Sequence, residues 1–242
     1  MKLVFLTALG VGGATIGGGV IGLLFRRISQ KWSSVILAFA AGVMLAAAMI
    51  GLILPSLDSS ENYAVFITTV GIFCGAVCID VIEKIMPLIF RDGKGDERRA
   101  VYLLVLAIAI HNLPEGIAAG VGFGTGDRVA GLLIAAGIAM QNVPEGMVVI
   151  LSMMGAGISP KKSFFVAAMT GVVEIVGTVL GYYVVSLSST ILPFGLAFAG
   201  GTMLWVVNCQ MIPETQMTKY RSLAAYSTLM GFCLMLIINE IL

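Results

Sequence analysis

The 242-residue chain is 59% hydrophobic and only 11% charged, whereas about a quarter of the residues of an ordinary soluble domain are charged. So much apolar surface cannot be buried in one soluble core. Since each membrane span needs roughly 20 residues, the length allows up to eight spans and no additional soluble domain. The formal net charge of +1 is uninformative in total, because the 14 Lys and Arg residues are clustered in a few loops. We do not expect nucleic acid as a partner.

Eight apolar stretches separated by polar residues follow along the chain. We interpret the first as a span, because it is too long for a signal-peptide core and runs into Arg26 and Arg27 without a small-residue cleavage site. All eight are predicted to be helical, because open strands cannot satisfy their backbone in lipid. In one polytopic domain, 1–242, the spans lie near residues 3–24, 34–55, 64–88, 101–122, 129–151, 163–186, 194–212 and 222–241.

Basic residues are concentrated in alternate loops. If the loop after the first span is cytoplasmic, the inside loops hold eleven Lys and Arg residues. The outside segments then hold only Lys2 and Arg128, and Lys84 lies near the inner end of the third span. The positive-inside rule therefore predicts that both termini are extracytoplasmic, which agrees with an even number of spans. We expect a multi-pass protein of the cell membrane, embedded in its lipid bilayer.

Two pairs of similar motifs indicate an internal repeat. Residues 111–116 read HNLPEG on the fourth span, and residues 141–146 read QNVPEG on the fifth. Residues 39–45 on the second span likewise resemble residues 198–204 on the seventh. Because the paired spans run in opposite directions, we predict an inverted repeat of spans one to three and six to eight around a central four-five pair. Chance similarity of Gly- and Ala-rich membrane segments is the alternative.

Polar side chains lie near the predicted centres of several spans. His111, Gln141 and Glu174 fall within about one residue of the centres of the fourth, fifth and sixth spans, and Met44 lies at the centre of the second. An acidic residue at mid-membrane costs roughly 2.5–3.5 kcal/mol, so Glu174 and the two motif glutamates together require about 8–10 kcal/mol of compensation. A bound divalent cation would supply it.

Helical spacing brings the polar residues of each motif to one face. The Glu lies four residues after the His or Gln and three after the Asn. Imidazole nitrogen, carboxylate and amide oxygens suit zinc, and a methionine sulfur would not exclude iron, manganese or cadmium. The amides have packing between helices as an alternative role. The candidate metal-site residues are Met44, His111, Asn112, Glu115, Gln141, Asn142, Glu145 and Glu174.

With these motifs, the chain resembles prokaryotic members of the ZIP (Zrt-, Irt-like protein) family of divalent metal transporters. The fourth span of that family carries His-Asn-x-Pro-Glu-Gly, and the fifth carries a related Pro-Glu-Gly motif. The resemblance covers essentially the whole chain and implies metal movement toward the cytoplasm without an ATP site. It also implies a second ion position lined by Asn112 and Glu174, with Met44 beside the first position. The residues implied to bind the first ion are His111, Glu115, Gln141 and Glu145.

Three features depart from the common family pattern. Some prokaryotic relatives carry Asp where this chain has Asn142, which favours one bound ion over a fully charged two-ion site. The loop 90–100 lacks the histidines of many relatives, so we expect no metal sensing there. On the seventh span, Cys209 and Gln210 stand where relatives often have acidic residues, which would alter the inner or outer pathway.

Further charged residues lie toward the predicted inner end of the third span. Asp80 and Lys84 are four residues apart, which is the spacing of an intrahelical ion pair. A place for Asp80 and Glu83 on the exit path of the ion is the alternative interpretation.

Together these features predict transmembrane transport of divalent transition-metal ions, zinc foremost, by alternating access at a midplane site. A selective channel for zinc, iron, manganese or cadmium is one alternative, and a non-transporting structural or receptor-like helix bundle is another. We expect no enzyme, because the chain has a single histidine and lacks His-Glu-x-x-His. The transported ion is the expected metal partner, and no cofactor is expected. The physiological metal, proton coupling and formation of a homodimer stay open.

Overall fold

The computed structural model describes residues 2–24, 29–58, 63–89, 109, 112–113, 115–123, 128–187 and 191–241. Regular structure within these ranges is entirely helical, which confirms the predicted all-α class. The elements are α1 (Lys2–Leu24), α2 (Gln30–Asp58), α3 (Ala64–Ile89), α4 (115–122), α5 (Arg128–Gly155), α6 (Pro160–Leu187), α7 (Leu192–Gln216) and α8 (Arg221–Ile241).

Within the described residues, seven helices, α1 to α3 and α5 to α8, are long and apolar enough to cross a membrane. Among them α2 and α7 are the most deeply buried, and α3 and α8 are the least buried. Large apolar side chains such as Phe66 and Phe73 on α3 and Tyr226 on α8 are exposed, as expected of helices that face lipid. The core therefore lies around α2 and α7, and α3 and α8 lie at the periphery.

The two central helices each contain a π-helical segment, Ala47–Ile53 in α2 and Val207–Met211 in α7. A proline follows each segment closely, at Pro55 and Pro213. Because proline lacks a backbone N–H, the carbonyl four residues before it has no partner in the regular α-helical pattern. A locally wider helical turn is one way in which a helix accommodates such a break.

Glycines bring α2 and α8 into direct backbone contact. A Cβ added at Gly42 would lie 1.9 Å from the carbonyl oxygen of Thr228, and one added at Gly231 would lie 2.2 Å from that of Phe39. These distances leave no room for a side chain at either position. Each helix thus packs a glycine against the carbonyl of the other, as is common in membrane helix pairs.

The contact between α3 and α7 follows the same pattern. A Cβ added at Gly75 would lie 2.1 Å from the carbonyl oxygen of Phe198, and one added at Gly201 would lie 2.2 Å from that of Ile72. The peripheral helices are therefore attached to the central ones by two similar contacts, one at α2 and one at α7.

A third group of close contacts holds α1 against α5 and α6. Gly12 of α1 and Gly171 of α6 face each other, since a Cβ added at either one would lie 2.2 or 2.5 Å from the carbonyl oxygen of the other. A Cβ added at Gly146 of α5 would lie 2.0 Å from the carbonyl oxygen of Thr15. The middle of α1 is consequently placed beside the polar segments of α5 and α6.

Candidate metal centre

A polar segment interrupts the apolar sequence in the middle of α5. Gln141 and Asn142 are fully buried, and Glu145 is only 8% exposed. Gln141 and Glu145 are four residues apart and therefore lie on the same side of α5. Gly146, the next residue, allows the backbone of α1 to approach α5 closely. These polar side chains are thus enclosed by neighbouring helices instead of facing lipid.

Two further carboxylates reach this region from α4 and α6. Glu115 of α4 and Glu174 in the middle of α6 are buried, as is Asn112. A Cβ added at Gly116 would lie 2.3 Å from the carbonyl oxygen of Glu174, so the backbones of α4 and α6 touch beside the two carboxylates. His111, the predicted nitrogen ligand, lies outside the described residues.

Amide groups connect these carboxylates by hydrogen bonds. Gln141 Nε2 donates to Glu115 Oε1 at 2.7 Å, which joins α5 to α4. Asn142 Nδ2 donates to Glu174 Oε2 at 2.5 Å, and Asn112 Nδ2 donates to Glu174 Oε1. Five of the predicted site residues are therefore in direct contact with another predicted site residue.

Five buried oxygen atoms of this cluster have no hydrogen-bond partner among the described residues. Three are amide oxygens and two are carboxylate oxygens, whereas the amide nitrogens are all engaged. A buried acceptor without a partner costs about 1–3 kcal/mol, and more if it is charged. A cation is the kind of ligand that satisfies a set made only of acceptors. The five unpaired oxygens are Asn112 Oδ1, Glu115 Oε2, Gln141 Oε1, Asn142 Oδ1 and Glu145 Oε2.

Protein cations do not neutralise this cluster within the described ranges. The ion pair found there joins Lys84 and Asp80, far along α3. In the same ranges, no three His, Cys, Asp or Glu side chains form a group that could hold a metal ion by themselves. A metal site formed by the described residues of this cluster alone would therefore include amide oxygens as well as carboxylates.

Met44, a predicted site residue on α2, is part of the buried apolar core. Its side chain is fully buried and belongs to the same core cluster as Ala118 and Ile138. Those two residues are within one helical turn of Glu115 on α4 and of Gln141 on α5. Met44 thus belongs to an apolar core that includes residues one turn away from Glu115 and Gln141.

Thr15 of α1 was not among the predicted site residues, although it contacts the centre directly. It is fully buried, and its Oγ1 donates to Glu174 Oε1 at 2.7 Å. Asn142 Nδ2 also donates to the carbonyl oxygen of Val11 on α1, at 3.2 Å. The sequence did contain a signal for this residue. Thr15 and Glu174 are separated by 159 residues, which is also the separation of the similar motifs 39–45 and 198–204, so the two residues occupy equivalent positions in the predicted repeat.

The family model described as ZIP Zinc transporter matches residues 93–239. This range covers more than half of the chain and all the polar residues of α4, α5 and α6 described above. The chain belongs to the ZIP zinc transporter family. The resemblance stated from the two Pro-Glu-Gly motifs is therefore confirmed, and this ZIP family member is a multi-pass membrane protein.

Bacterial relatives match this ZIP chain over most of its length. Zinc transporter GufA of Myxococcus xanthus is 38% identical, with 70% of this chain and 68% of the relative covered. Zinc transporter ZIPB of Bordetella bronchiseptica is 34% identical, with 95% and 78% covered. Zinc transporter ZupT of Chlorobaculum parvum is 30% identical, with 88% and 87% covered.

Outside the centre, the charged residues of α3 have identified partners. Lys84 Nζ and Asp80 Oδ2 are 2.6 Å apart, which confirms the predicted ion pair at this spacing. Glu83 Oε1 accepts a hydrogen bond from Gln210 Nε2 at 2.5 Å, so this amide connects α7 to α3. Cys209 is exposed and is not part of a disulfide.

Proposed function

We propose that this ZIP family member transports divalent transition-metal ions, most readily zinc, across the cell membrane toward the cytoplasm. The observation that carries the proposal is the set of five unpaired oxygens buried between α4 and α5 and beside α6. Buried acceptors without donors are costly, and a divalent cation would satisfy several of them at once. The relatives GufA, ZIPB and ZupT are named zinc transporters, which supports the choice of zinc.

In this proposal one ion is held by His111, Glu115, Gln141 and Glu145. Glu115 and Glu145 supply negative charge, Gln141 supplies a neutral oxygen, and the imidazole supplies the nitrogen that zinc prefers over purely oxygen sites. Three buried carboxylates at the centre of apolar helices are expensive without a cation, which is the electrostatic reason for binding. The polar neighbours of this ion are Asn112, Asn142 and Glu174, and Met44 lies on its apolar side.

The proposal includes eight spans arranged as an inverted repeat. It is supported by a constant sequence separation of 159 residues between related positions. This separation is found between Gly12 and Gly171, between Gly42 and Gly201, and between Thr15 and Glu174. The glycine contacts of α2 with α8 recur in those of α7 with α3, and both central helices carry a π-helical segment. The reciprocal contact of Gly12 with Gly171 is the one expected where a pseudo-twofold axis passes.

Both termini are proposed to be extracytoplasmic. In this orientation a cavity of about 630 Å³ lies on the cytoplasmic side. This cavity lies between the start of α2 and the ends of α5 and α7, and polar residues such as Ser34, Ser152 and Thr215 line it. Lys31 and Lys219 belong to the same ends of the helices, in agreement with the positive-inside rule. The lining residue Leu151 is about 9 Å along α5 from Glu145, so the cavity offers an exit route in an alternating-access cycle.

Two alternatives make different predictions. A selective channel would conduct zinc without counterflow, whereas a carrier exchanges zinc faster when zinc is also present on the far side. A structural or receptor-like bundle would not move zinc at all. We propose no enzymatic role, in line with relatives that are named transporters, and no resident cofactor, because the ion is the substrate. A homodimer is compatible with each of these alternatives.

The test is uptake of radioactive zinc by proteoliposomes that contain the purified chain. Wild-type protein should accumulate zinc above empty liposomes, and His111→Ala and Glu145→Ala should reduce uptake by at least about tenfold, since each removes a ligand. Asn208→Ala is the matched control, because this exposed amide donates only to Leu204 of its own helix, and it should behave as wild type. Equal uptake by all variants would refute the site, and no uptake by wild type would refute transport.

A further inference from the structure

Thr15 makes a contact that sets it apart from other buried threonines of the chain. The hydroxyls of Thr170, Thr178 and Thr202 donate to carbonyl oxygens three or four residues earlier in their own helices. This local bond is the common one for a threonine within a helix. Thr15 Oγ1 instead donates to the carboxylate of Glu174 on α6, at 2.7 Å. A hydroxyl that leaves its own helix for a buried carboxylate makes a charge-assisted bond, which is among the stronger hydrogen bonds in proteins.

Glu174 in turn has its two oxygens occupied by three donors. Oε1 accepts from Thr15 and Asn112, and Oε2 accepts from Asn142. Neither oxygen of Glu174 is among the five unpaired oxygens, although the carboxylates of Glu115 and Glu145 each contribute one. Glu174 therefore differs from the other two carboxylates, because its oxygens are used for contacts within the protein.

The donors on Glu174 determine which end of each asparagine is left for a ligand. Because an amide has its N–H groups at one end and its carbonyl oxygen at the other, an amide whose nitrogen binds a carboxylate turns its oxygen away from that carboxylate. The Oδ1 atoms of Asn112 and Asn142 are both buried and unpaired. When the carboxylate of Glu174 is held in this position, the two asparagines thus present two neutral amide oxygens to the rest of the cluster.

The backbone around Thr15 leaves little room for this hydroxyl to move away. A Cβ at Gly146 would come within 2.0 Å of the Thr15 carbonyl oxygen, and Gly12, one turn earlier on α1, touches Gly171 of α6. Val11 also accepts a hydrogen bond from Asn142 at 3.2 Å. The segment of α1 from Val11 to Thr15 is therefore fixed against both α5 and α6.

We propose that Thr15 is a positioning residue of the metal site. Its hydroxyl fixes the carboxylate of Glu174, which holds Asn112 and Asn142 with their Oδ1 oxygens directed to the transported cation. The inference rests on the proposed function, since it assigns a role in binding that ion. It adds α1 to the helices that determine metal affinity. It also gives Glu174 the role of holding the side-chain amides of Asn112 and Asn142 in place.

The test compares Thr15→Val, which removes the hydroxyl and keeps the shape, with Thr15→Ser, which keeps the hydroxyl. Thr170→Val is the matched control, because Thr170 is equally buried and donates only to Ala167 in its own helix. For each variant, KM and Vmax of zinc uptake are measured in proteoliposomes. The visible absorption of bound Co²⁺ is measured on the same purified proteins, since it reports the ligands around the metal.

Thr15→Val should raise KM for zinc on the order of tenfold, the loss expected for one hydrogen bond to a buried charge, with a smaller change in Vmax. It should also alter the Co²⁺ spectrum, whereas Thr15→Ser and Thr170→Val should keep both near wild type. The proposal is overturned if Thr15→Val leaves KM and the spectrum unchanged, or if Thr15→Ser is as impaired as Thr15→Val. It is also overturned if Thr170→Val causes the same loss. If wild type takes up no zinc, the transport function fails, while the Co²⁺ spectra still test the hydroxyl.

Discussion

Replacing Gly146 by alanine should force α1 and α5 apart at the level of the metal site. The added Cβ would lie 2.0 Å from the carbonyl oxygen of Thr15, and the nearest other atoms belong to the backbone as well. A backbone neighbour cannot rotate away as a flexible side chain can. The helices therefore have to separate, and the hydroxyl of Thr15 moves away from Glu174.

The magnitude follows from three contributions. Overpacking of a well-packed interior costs typically about 1–3 kcal/mol, and an immovable neighbour places this substitution at the upper end. Loss of the hydrogen bond to a buried carboxylate adds about 1.5–3 kcal/mol if it breaks completely. The removal of a glycine from a helix returns about 0.5–1 kcal/mol. We expect a net loss of about 4 kcal/mol, which corresponds to a fall in Tm of roughly 8–16 °C for a chain of this size.

The assay is thermal unfolding of purified protein in one detergent without added metal. Gly10→Ala is the control, because a Cβ at that position of α1 meets nothing within 4 Å. Gly10→Ala should leave Tm unchanged or raise it slightly, while Gly146→Ala lowers it. Equal Tm values for the two variants would show that α1 and α5 do not pack as closely as described.

Three further substitutions test separate contacts. Glu115→Gln keeps the shape of a proposed ligand but removes its charge, so KM for zinc uptake should rise by at least about tenfold, and an unchanged KM would contradict a ligand role. Ser56→Ala removes the donor to the carbonyl oxygen of Pro193, 2.7 Å away, and should lower the free energy of unfolding by about 1–2 kcal/mol in thermal unfolding. Asp80→Asn breaks the pair with Lys84, whose side chain is 71% exposed, and should change that free energy by less than about 0.5 kcal/mol. If Asp80→Asn lowered the free energy of unfolding as much as Ser56→Ala, the description of this ion pair as a weak surface contact would be contradicted.

The helical membrane class could be predicted from the sequence because long apolar runs leave no other stable backbone arrangement in lipid. The π-helical segments could not, although Pro55 and Pro213 marked where the regular pattern breaks. A proline shows that one carbonyl loses its partner, but packing around α2 and α7 decides whether the helix kinks, widens or ends. As a result, α7 continues to Gln216, beyond the predicted end of its span at residue 212.

The polar cluster could be predicted as a set of residues, but its hydrogen bonds could not. Helical spacing indicates that Gln141 and Glu145 share a face, yet it does not determine which end of an amide points toward a carboxylate. That orientation depends on contacts between helices distant in the sequence, such as Asn142 with Glu174. Thr15 was not predicted, because a single threonine in a Gly-rich span is ordinary. Only the spacing of the repeat relates it to Glu174.

The most direct test of the metal centre is the anomalous scattering of zinc in crystals of the chain grown with zinc. We predict a principal zinc peak between α4 and α5, about 2.0–2.2 Å from a carboxylate oxygen of Glu115 or Glu145. The side-chain oxygen of Gln141 should be a neighbour of the same peak. A principal peak elsewhere, for example beside Asp80 and Glu83 on α3, with none among the five unpaired oxygens, would contradict it.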